Sequence, residues 1–124
     1  MDIIFIEGTE DTPKVLLDPS KNIFEISGRS LPEDCASFYG PILKWLDGYV
    51  ASPNAATIFE VKLEYFNTAS SKMILDVLTK LEKLKEAGKN IVIHWYFHDD
   101  DEDMQEAGEE FAELVEVPFE YKTY

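Results

Sequence analysis

The sequence predicts an α/β layered domain in which helices pack on a mixed β-sheet. Six short apolar or alternating runs lie at 3–6, 14–18, 22–28, 57–66, 90–97 and 117–124. After the first three, each gap holds a stretch with apolar residues three or four positions apart, so the order is βββαβαβαβ. Strand, helix, strand passages within one sheet give parallel neighbours with helices packed against them. At 124 residues and 45% hydrophobic, the chain suits one core, and residues 1–124 are read as a single domain.

IIFI at 3–6 is a short apolar strand. KVLLD at 14–18 and NIFEISG at 22–28, joined through Pro19, Ser20 and Lys21, form an expected antiparallel hairpin. At Ser30 the pattern becomes helical: Ser30 is the expected cap, Pro32 sits in the first turn, and Glu33 reaches back as the capping-box partner. Cys35, Phe38, Tyr39, Ile42, Leu46 and Tyr49 follow as one buried stripe. Pro41 has no amide to donate, so a kink or break is expected near 37–40.

TIFEVKLEYF at 57–66 is the clearest strand, with Thr57, Phe59, Val61, Leu63 and Tyr65 on its apolar side. A helix carrying Ile74, Val77, Leu78, Leu81 and Leu84 stops at Gly88. NIVIHWYF at 90–97 is continuously hydrophobic, which suits a central strand covered on both faces. The acidic stretch 98–116 is helical with Met104, Phe111 and Leu114 inward. Residues 117–124 close the chain as an edge strand, because Pro118 cannot donate to a ladder.

Charge narrows the function classes. Eleven basic residues against twenty-five acidic ones give a net charge of −14, which repels phosphate backbones and anionic lipid. Nucleic acid and membrane are not expected partners. The one cysteine, Cys35, excludes a disulfide framework and a CxxC pair, and its place on the apolar stripe makes it a core residue rather than a nucleophile. The opening MDIIFIEGTED has neither the basic start nor the apolar length of a signal peptide, so the expected location is cytoplasmic. EGTED and EAGKN do not match a phosphate-binding glycine loop. No catalytic residues and no cofactor are assigned.

The junction EYFNTASSK at 64–72 is the most informative segment. Asn67, Thr68, Ser70 and Ser71 crowd the start of a well-patterned helix, where one cap suffices. A hydroxyl there either accepts an amide hydrogen bond or carries a phosphate, which gains charge-assisted bonds from helix amides and from Lys72. Asn67 is a competent cap, so Thr68 opens the helix with its hydroxyl near the surface and is the best-placed phosphorylation site. Ser71, one turn on, shares that field. Arg29 pairs with Glu33 or Asp34, or lies near the helix start to meet the phosphate or a partner's carboxylate.

Asp99, Asp101, Asp103 and Glu110 fit positions 1, 3, 5 and 12 of a calcium loop, but position 6 is Met104 where glycine is needed. The run Asp99, Asp100, Asp101 reads better as a solvated helix start or a docking surface. His94 and His98 are about 13 Å apart on a strand, too far for one ion, and His94 reads as a hydrogen-bonded sheet residue. A small metal-binding module using His98 and the Asp99 to Asp103 run is one alternative reading. A constitutive acidic adaptor, whose cap is only a cap, is the other.

The strings TPKVLLDPS, FEISGRSLPEDCASFYGPILKWLDGY, LEYFNTASSK, HWYFHDDDEDMQEAGEEF and PFEY resemble the SiaC family of bacterial regulatory phosphoproteins over about Thr12 to Tyr121. The combination of GRSxPED, EYFNTxSSK and DDEDMxExGE is specific to that family. The resemblance implies a fold similar to the STAS domain of anti-sigma factor antagonists, with phosphorylation on the threonine of EYFNT, here Thr68. It further implies a partner Ser/Thr protein kinase with a histidine-kinase-like ATPase fold and a PP2C-like phosphatase. The unphosphorylated form is then expected to bind and stimulate a GGDEF diguanylate cyclase, raising cyclic di-GMP and promoting biofilm formation. Arg29, Asn67, Ser71, Lys72, Asp99, Asp100 and Asp101 are the candidate docking residues around that threonine.

Overall fold

The computed structural model describes residues 2–124 and contains six strands and three helices in the expected order. The strands are β1 (Ile4–Ile6), β2 (Lys14–Asp18), β3 (Ile23–Ser30), β4 (Ala56–Phe66), β5 (Asn90–Phe97) and β6 (Phe119–Thr123). The helices are α1 (Cys35–Ala51), α2 (Thr68–Glu86) and α3 (Glu102–Leu114). One sheet runs β1-β2-β3-β4-β5-β6; the first two pairings are antiparallel and the last three parallel. The expected 14–28 hairpin is present, and β6 after Pro118 is an edge strand.

Because the parallel strands follow one another without reversal, right-handed crossovers place all three helices on one face of the sheet. The burial pattern agrees. Val15, Leu17, Phe24, Ile26, Phe59, Val61, Leu63, Ile91, Ile93 and Trp95 join the helices in one core. In β5, Val92, His94 and Tyr96 alternate with these as half-buried residues. The expectation that β5 is covered on both faces is therefore corrected: its second face is open, and its apolar run reflects β-forming side chains and not double burial. On that open face the Tyr96 hydroxyl donates to Glu60, and Lys14 pairs with Glu25 at 3.3 Å. His94 approaches Glu120 only to 3.8 Å, an ion-pair contact when protonated and not the expected hydrogen bond.

Five local expectations fail for identifiable reasons. Ser30 does not cap α1, because β3 runs to Ser30 and pairs it with Phe66. Pro32 also disfavours a helical Leu31. Asp34 is the cap, accepting from the Ser37 amide at 3.1 Å and its hydroxyl at 2.8 Å. The helix runs unbroken through Pro41, since Ser37 and Pro41 are both exposed and water can satisfy the freed carbonyl. Cys35 is half-buried at the first helical position and not in the core.

Tyr65 leaves the apolar side of β4 and is 46% exposed. The ladder pairs Gly28 with Leu63 but Arg29 with Tyr65, and this extra β4 residue reverses the alternation. In α3 the inward positions are Met104, Gly108 and Phe111, continued by Val115. Leu114 is displaced to the outside, 64% exposed.

Candidate functional site

The site lies at the carboxyl ends of the parallel strands. β4 ends at Phe66 and α2 begins at Thr68, so Asn67 alone makes the turn. Its extended backbone and short amide side chain suit a cap, and its Oδ1 accepts from the Ser70 amide at 2.8 Å. The Ser71 amide reaches the Asn67 carbonyl at 2.9 Å. The Thr68 and Ala69 amides are the two at this terminus that neither bond engages.

Thr68 is exposed at the first helical position, with its hydroxyl not spent on the cap. The first turn of α2 contains no acidic residue, in a chain of net charge −14, so nothing in that turn opposes a negative charge. Lys72, one turn further, is exposed and Ser71 is half-buried. Ser70 is fully buried and thus removed from the set of accessible hydroxyls.

Beneath Thr68 the terminus is anchored from three elements. The Ser70 hydroxyl donates to the Ser30 carbonyl at 2.9 Å, and the Ser30 hydroxyl donates to Ser70 Oγ at 2.8 Å. Each hydroxyl has one hydrogen, so the 2.6 Å contact between Tyr39 and Ser30 is made by the Tyr39 proton. The Asn67 amide also bonds to the Ser30 carbonyl at 3.0 Å. Burial pushes the Tyr39 phenol up to about 12, so it remains a neutral donor. Cys35 Sγ lies 3.6 Å from Ser70 Oγ at the edge of this network. Sequence reading misses the network because Ser30 and Ser70 are 40 residues apart and neither carries a motif of its own.

The other candidates are placed as follows. Arg29 does not pair with Glu33 or Asp34; its Nε donates to the Glu10 carbonyl at 3.2 Å and its guanidinium lies 5.5 Å from the Tyr65 ring centre. Asp99 and Asp100 are exposed in the turn after β5. Asp101 caps α3 by accepting from the Met104 amide at 3.0 Å. Because Glu102–Leu114 is helix, the residues from Asp99 to Glu110 do not form a calcium loop. His98 Nδ1 lies 2.9 Å from the Tyr124 carbonyl and its ring stacks on Tyr124 at 4.2 Å. Among the described residues, no three His, Cys, Asp or Glu side chains are grouped to hold a metal ion, and no helix is long and apolar enough to cross a membrane.

Two hollows adjoin Phe66 at the end of β4. One, of about 280 Å³, is lined by Glu64, Tyr65, Phe66, Asp101, Asp103, Met104 and Ala107. The other, of about 130 Å³, lies between α2 and α3 and is lined by Phe66, Ser71, Ala107, Glu110, Phe111 and Leu114. They share Phe66 and Ala107, so they form one groove. Phe66 is held as its floor by Trp95, ring centres 6.5 Å apart and edge-on, and by Phe111 at 6.0 Å. Of the residues named from sequence around Thr68, Asp101 lines the first hollow and Ser71 the second, and Asp103 of the same acidic run lines the first as well. The groove as a whole was not foreseen. Its sequence signal is the three- and four-residue spacing of Asp103, Ala107, Glu110 and Leu114.

Comparison with known proteins agrees with this architecture. The profile of the family described as SiaC family regulatory phosphoprotein matches residues 6–124. An uncharacterized protein of Pseudomonas aeruginosa strain UCBPP-PA14 is 29% identical over 119 residues, covering 96% of this chain and 94% of the relative. The crystal structure of apo-SiaC from Pseudomonas aeruginosa superposes with a TM-score of 0.88 at 28% identity, covering 98% of this chain and 99% of that one. A chain in the crystal structure of diguanylate cyclase SiaD in complex with its activator SiaC, from the same organism, gives 0.91 at 27% identity, covering 98% and 99%. The extent of these matches, together with the EYFNTxSSK turn and the sheet order, establishes that the chain belongs to the SiaC family of regulatory phosphoproteins.

Proposed function

We propose that this chain is a non-enzymatic, phosphorylation-controlled protein-binding switch whose modified residue is Thr68. The observation that carries the reading is the placement of that hydroxyl: exposed at the first position of α2, spared from capping by Asn67, beside two amides that the cap leaves free, in a first turn that holds no carboxylate. A dianionic phosphate there meets backbone donors, the helix dipole and Lys72. The family resemblance supplies the agents, a Ser/Thr kinase with a histidine-kinase-like ATPase fold and a PP2C-like phosphatase, both acting in the cytoplasm.

In this reading the unphosphorylated form binds and activates a GGDEF diguanylate cyclase and so regulates cyclic di-GMP signalling and biofilm formation. Support comes from the relative solved as an activator in complex with a diguanylate cyclase. The docking surface comprises Asn67, Ser71 and Lys72 at the helix start, with Arg29 and Asp99, Asp100 and Asp101 on its flanks. The sign of control follows from magnitudes. Seating a partner over Thr68 strips water from any phosphate there, which costs several kcal/mol per buried ion. An exposed ion pair to Lys72 returns only about 0 to 1 kcal/mol. Phosphorylation therefore releases the partner.

The test is cyclase activation by the unmodified protein, by protein phosphorylated with the cognate kinase, and by Thr68→Ala. The account requires activation by the unmodified and Thr68→Ala proteins and loss of activation after phosphorylation of the wild type. Equal activation by phosphorylated and unmodified protein overturns it.

A further inference from the structure

We propose that the open face of the sheet is a self-association surface, on which a second copy of this chain packs sheet against sheet about a two-fold axis between Ile23 and Ile58. The proposal is independent of the switch reading, because Thr68 lies at the other end of the strands and the helices cover the other face.

Strand register builds the surface. Asp18 pairs with Ile23, and Ile58 with Val92. Because Phe24 pairs with Phe59 and Ile93 with Phe119, Ile23 falls beside Ile58 and Val92 beside Pro118. Ile4 pairs with Leu17, so Ile3 falls beside Asp18. One row thus crosses the sheet as Ile3, Asp18, Ile23, Ile58, Val92 and Pro118. Phe5 and its half-buried neighbour Leu16 widen the row at the β1 edge. Ile3, Phe5, Ile23 and Ile58 are each between 38% and 57% exposed. Asp18 does not break the seam, since its carboxylate turns into its own tight turn, accepting from the Ser20 hydroxyl at 2.6 Å and the Ser20 amide at 3.0 Å. An apolar patch running across several strands is the kind of surface that a protein contact covers.

Charge selects the occupant. The chain carries −14, so two copies repel one another over most of their surface. The open face is the exception. In the two rows beside the seam three lysines, Lys14, Lys62 and Lys122, offset three glutamates, Glu25, Glu60 and Glu120. Several are already engaged: Lys14 lies 3.3 Å from Glu25, Glu60 accepts from Tyr96, and the Lys62 ammonium sits 4.7 Å from the Tyr96 ring centre. A second copy therefore meets an apolar seam with balanced charge beside it.

The seam is also self-complementary, as a two-fold contact requires. Rotation about an axis between β3 and β4 sets Ile23 on Ile58 of the other copy, and Ile3 on its Pro118. Asp18, the one polar member, faces Val92 with its carboxylate already satisfied by Ser20. Six strands spaced by about 4.8 Å, overlapping over about six residues each, cover roughly 500 Å² per copy. The pair then buries about 1,000 Å², the lower bound of a specific interface. Association is accordingly reversible, with an expected dissociation constant between about 1 and 100 µM.

The experiment is sedimentation velocity of the full chain from about 5 to 500 µM, a range that brackets this affinity. The wild type should pass from monomer toward dimer within it. Ile58→Lys places a charge in the seam while reducing the net negative charge, and should weaken association by about tenfold or more. Leu114→Lys makes the same charge change on α3 and should leave association unaltered. Ile23→Glu should weaken it as Ile58→Lys does. An equimolar mixture of those two variants should pair again, because the axis brings position 23 of one copy onto position 58 of the other. Circular dichroism checks that each variant is folded.

A wild type that stays monomeric up to about 500 µM overturns the proposal, since contact of this size should be populated there. So does a dimer indifferent to Ile58→Lys, a dimer weakened equally by Leu114→Lys, or a mixture that fails to pair. None of these results bears on phosphorylation of Thr68, so the two readings stand or fall separately.

Discussion

The hydroxyls of Ser30 and Ser70 lie 2.8 Å apart in the core, directly below the exposed threonine that opens α2. Through this contact the end of β3 fixes the start of α2, and Tyr39 of α1 closes the network from the third side. Thr68 is thus presented on a terminus that three elements hold in place.

Ser70→Ala removes a donor to the Ser30 carbonyl and an acceptor for the Ser30 hydroxyl. Leaving buried polar groups unpaired costs about 1 to 3 kcal/mol, so the denaturant midpoint should fall by a corresponding amount. The same variant should still accept a phosphoryl group, because Ser70 is sealed from a kinase. A loss of phosphorylation without loss of fold would place the modified hydroxyl on Ser70 instead.

Asn67→Ala deletes the cap. The expected cost is about 1 kcal/mol, with faster amide exchange at Ser70 than in the wild type. Unchanged exchange there would mean that the cap does not hold the first turn.

Gly108 packs against Trp95: a Cβ at position 108 would lie 2.5 Å from Trp95 Cδ1. Alanine gains about 1 kcal/mol of helix propensity over glycine. The overpacking penalty of about 1 to 3 kcal/mol outweighs it. Gly108→Ala should therefore destabilise the chain by up to about 2 kcal/mol and perturb the Trp95 fluorescence. A stabilised variant would show that α3 can slide away from β5.

The hydrogen bond to the Glu60 carboxylate, with burial behind it, pushes the Tyr96 phenol up to about 12 from the ordinary 10.0. A raised phenol pKa means the folded chain holds this proton more tightly than the unfolded one. Its contribution is fully present below about pH 10 and is lost as pH rises through about 12. Ultraviolet titration of Glu60→Gln should show the Tyr96 ionisation moving back toward the ordinary range. No movement would assign the shift to burial.

The fold was legible because its elements carry two clean periods. The alternation in TIFEVKL and the three- and four-residue steps of Ile74 to Leu84 each name one element type. What failed did so where tertiary pairing overrode local grammar. Ser30 looks like a cap until the Phe66 partner draws it into the sheet. Tyr65 looks inward until the extra β4 residue turns it out. The continuous run NIVIHWYF hides an open face, since Val92 and Tyr96 suit an exposed strand as well as a buried one. The exposed placement of Thr68 was legible because Asn67 is a strong cap that leaves the next hydroxyl free. The groove was not, because its floor joins Phe66 of β4 to Ala107 and Phe111 of α3, and the helical spacing points Leu114 inward where the structure exposes it.

The most direct measurement is the intact mass of the wild-type chain and of Thr68→Ala after incubation with the cognate kinase and ATP. The variant changes one exposed residue at the first helical position, so its stability should stay within about 0.5 kcal/mol of wild type. The account predicts one added phosphoryl group on the wild type and none on the folded variant. A phosphoryl group on Thr68→Ala, or none on the wild type, contradicts it.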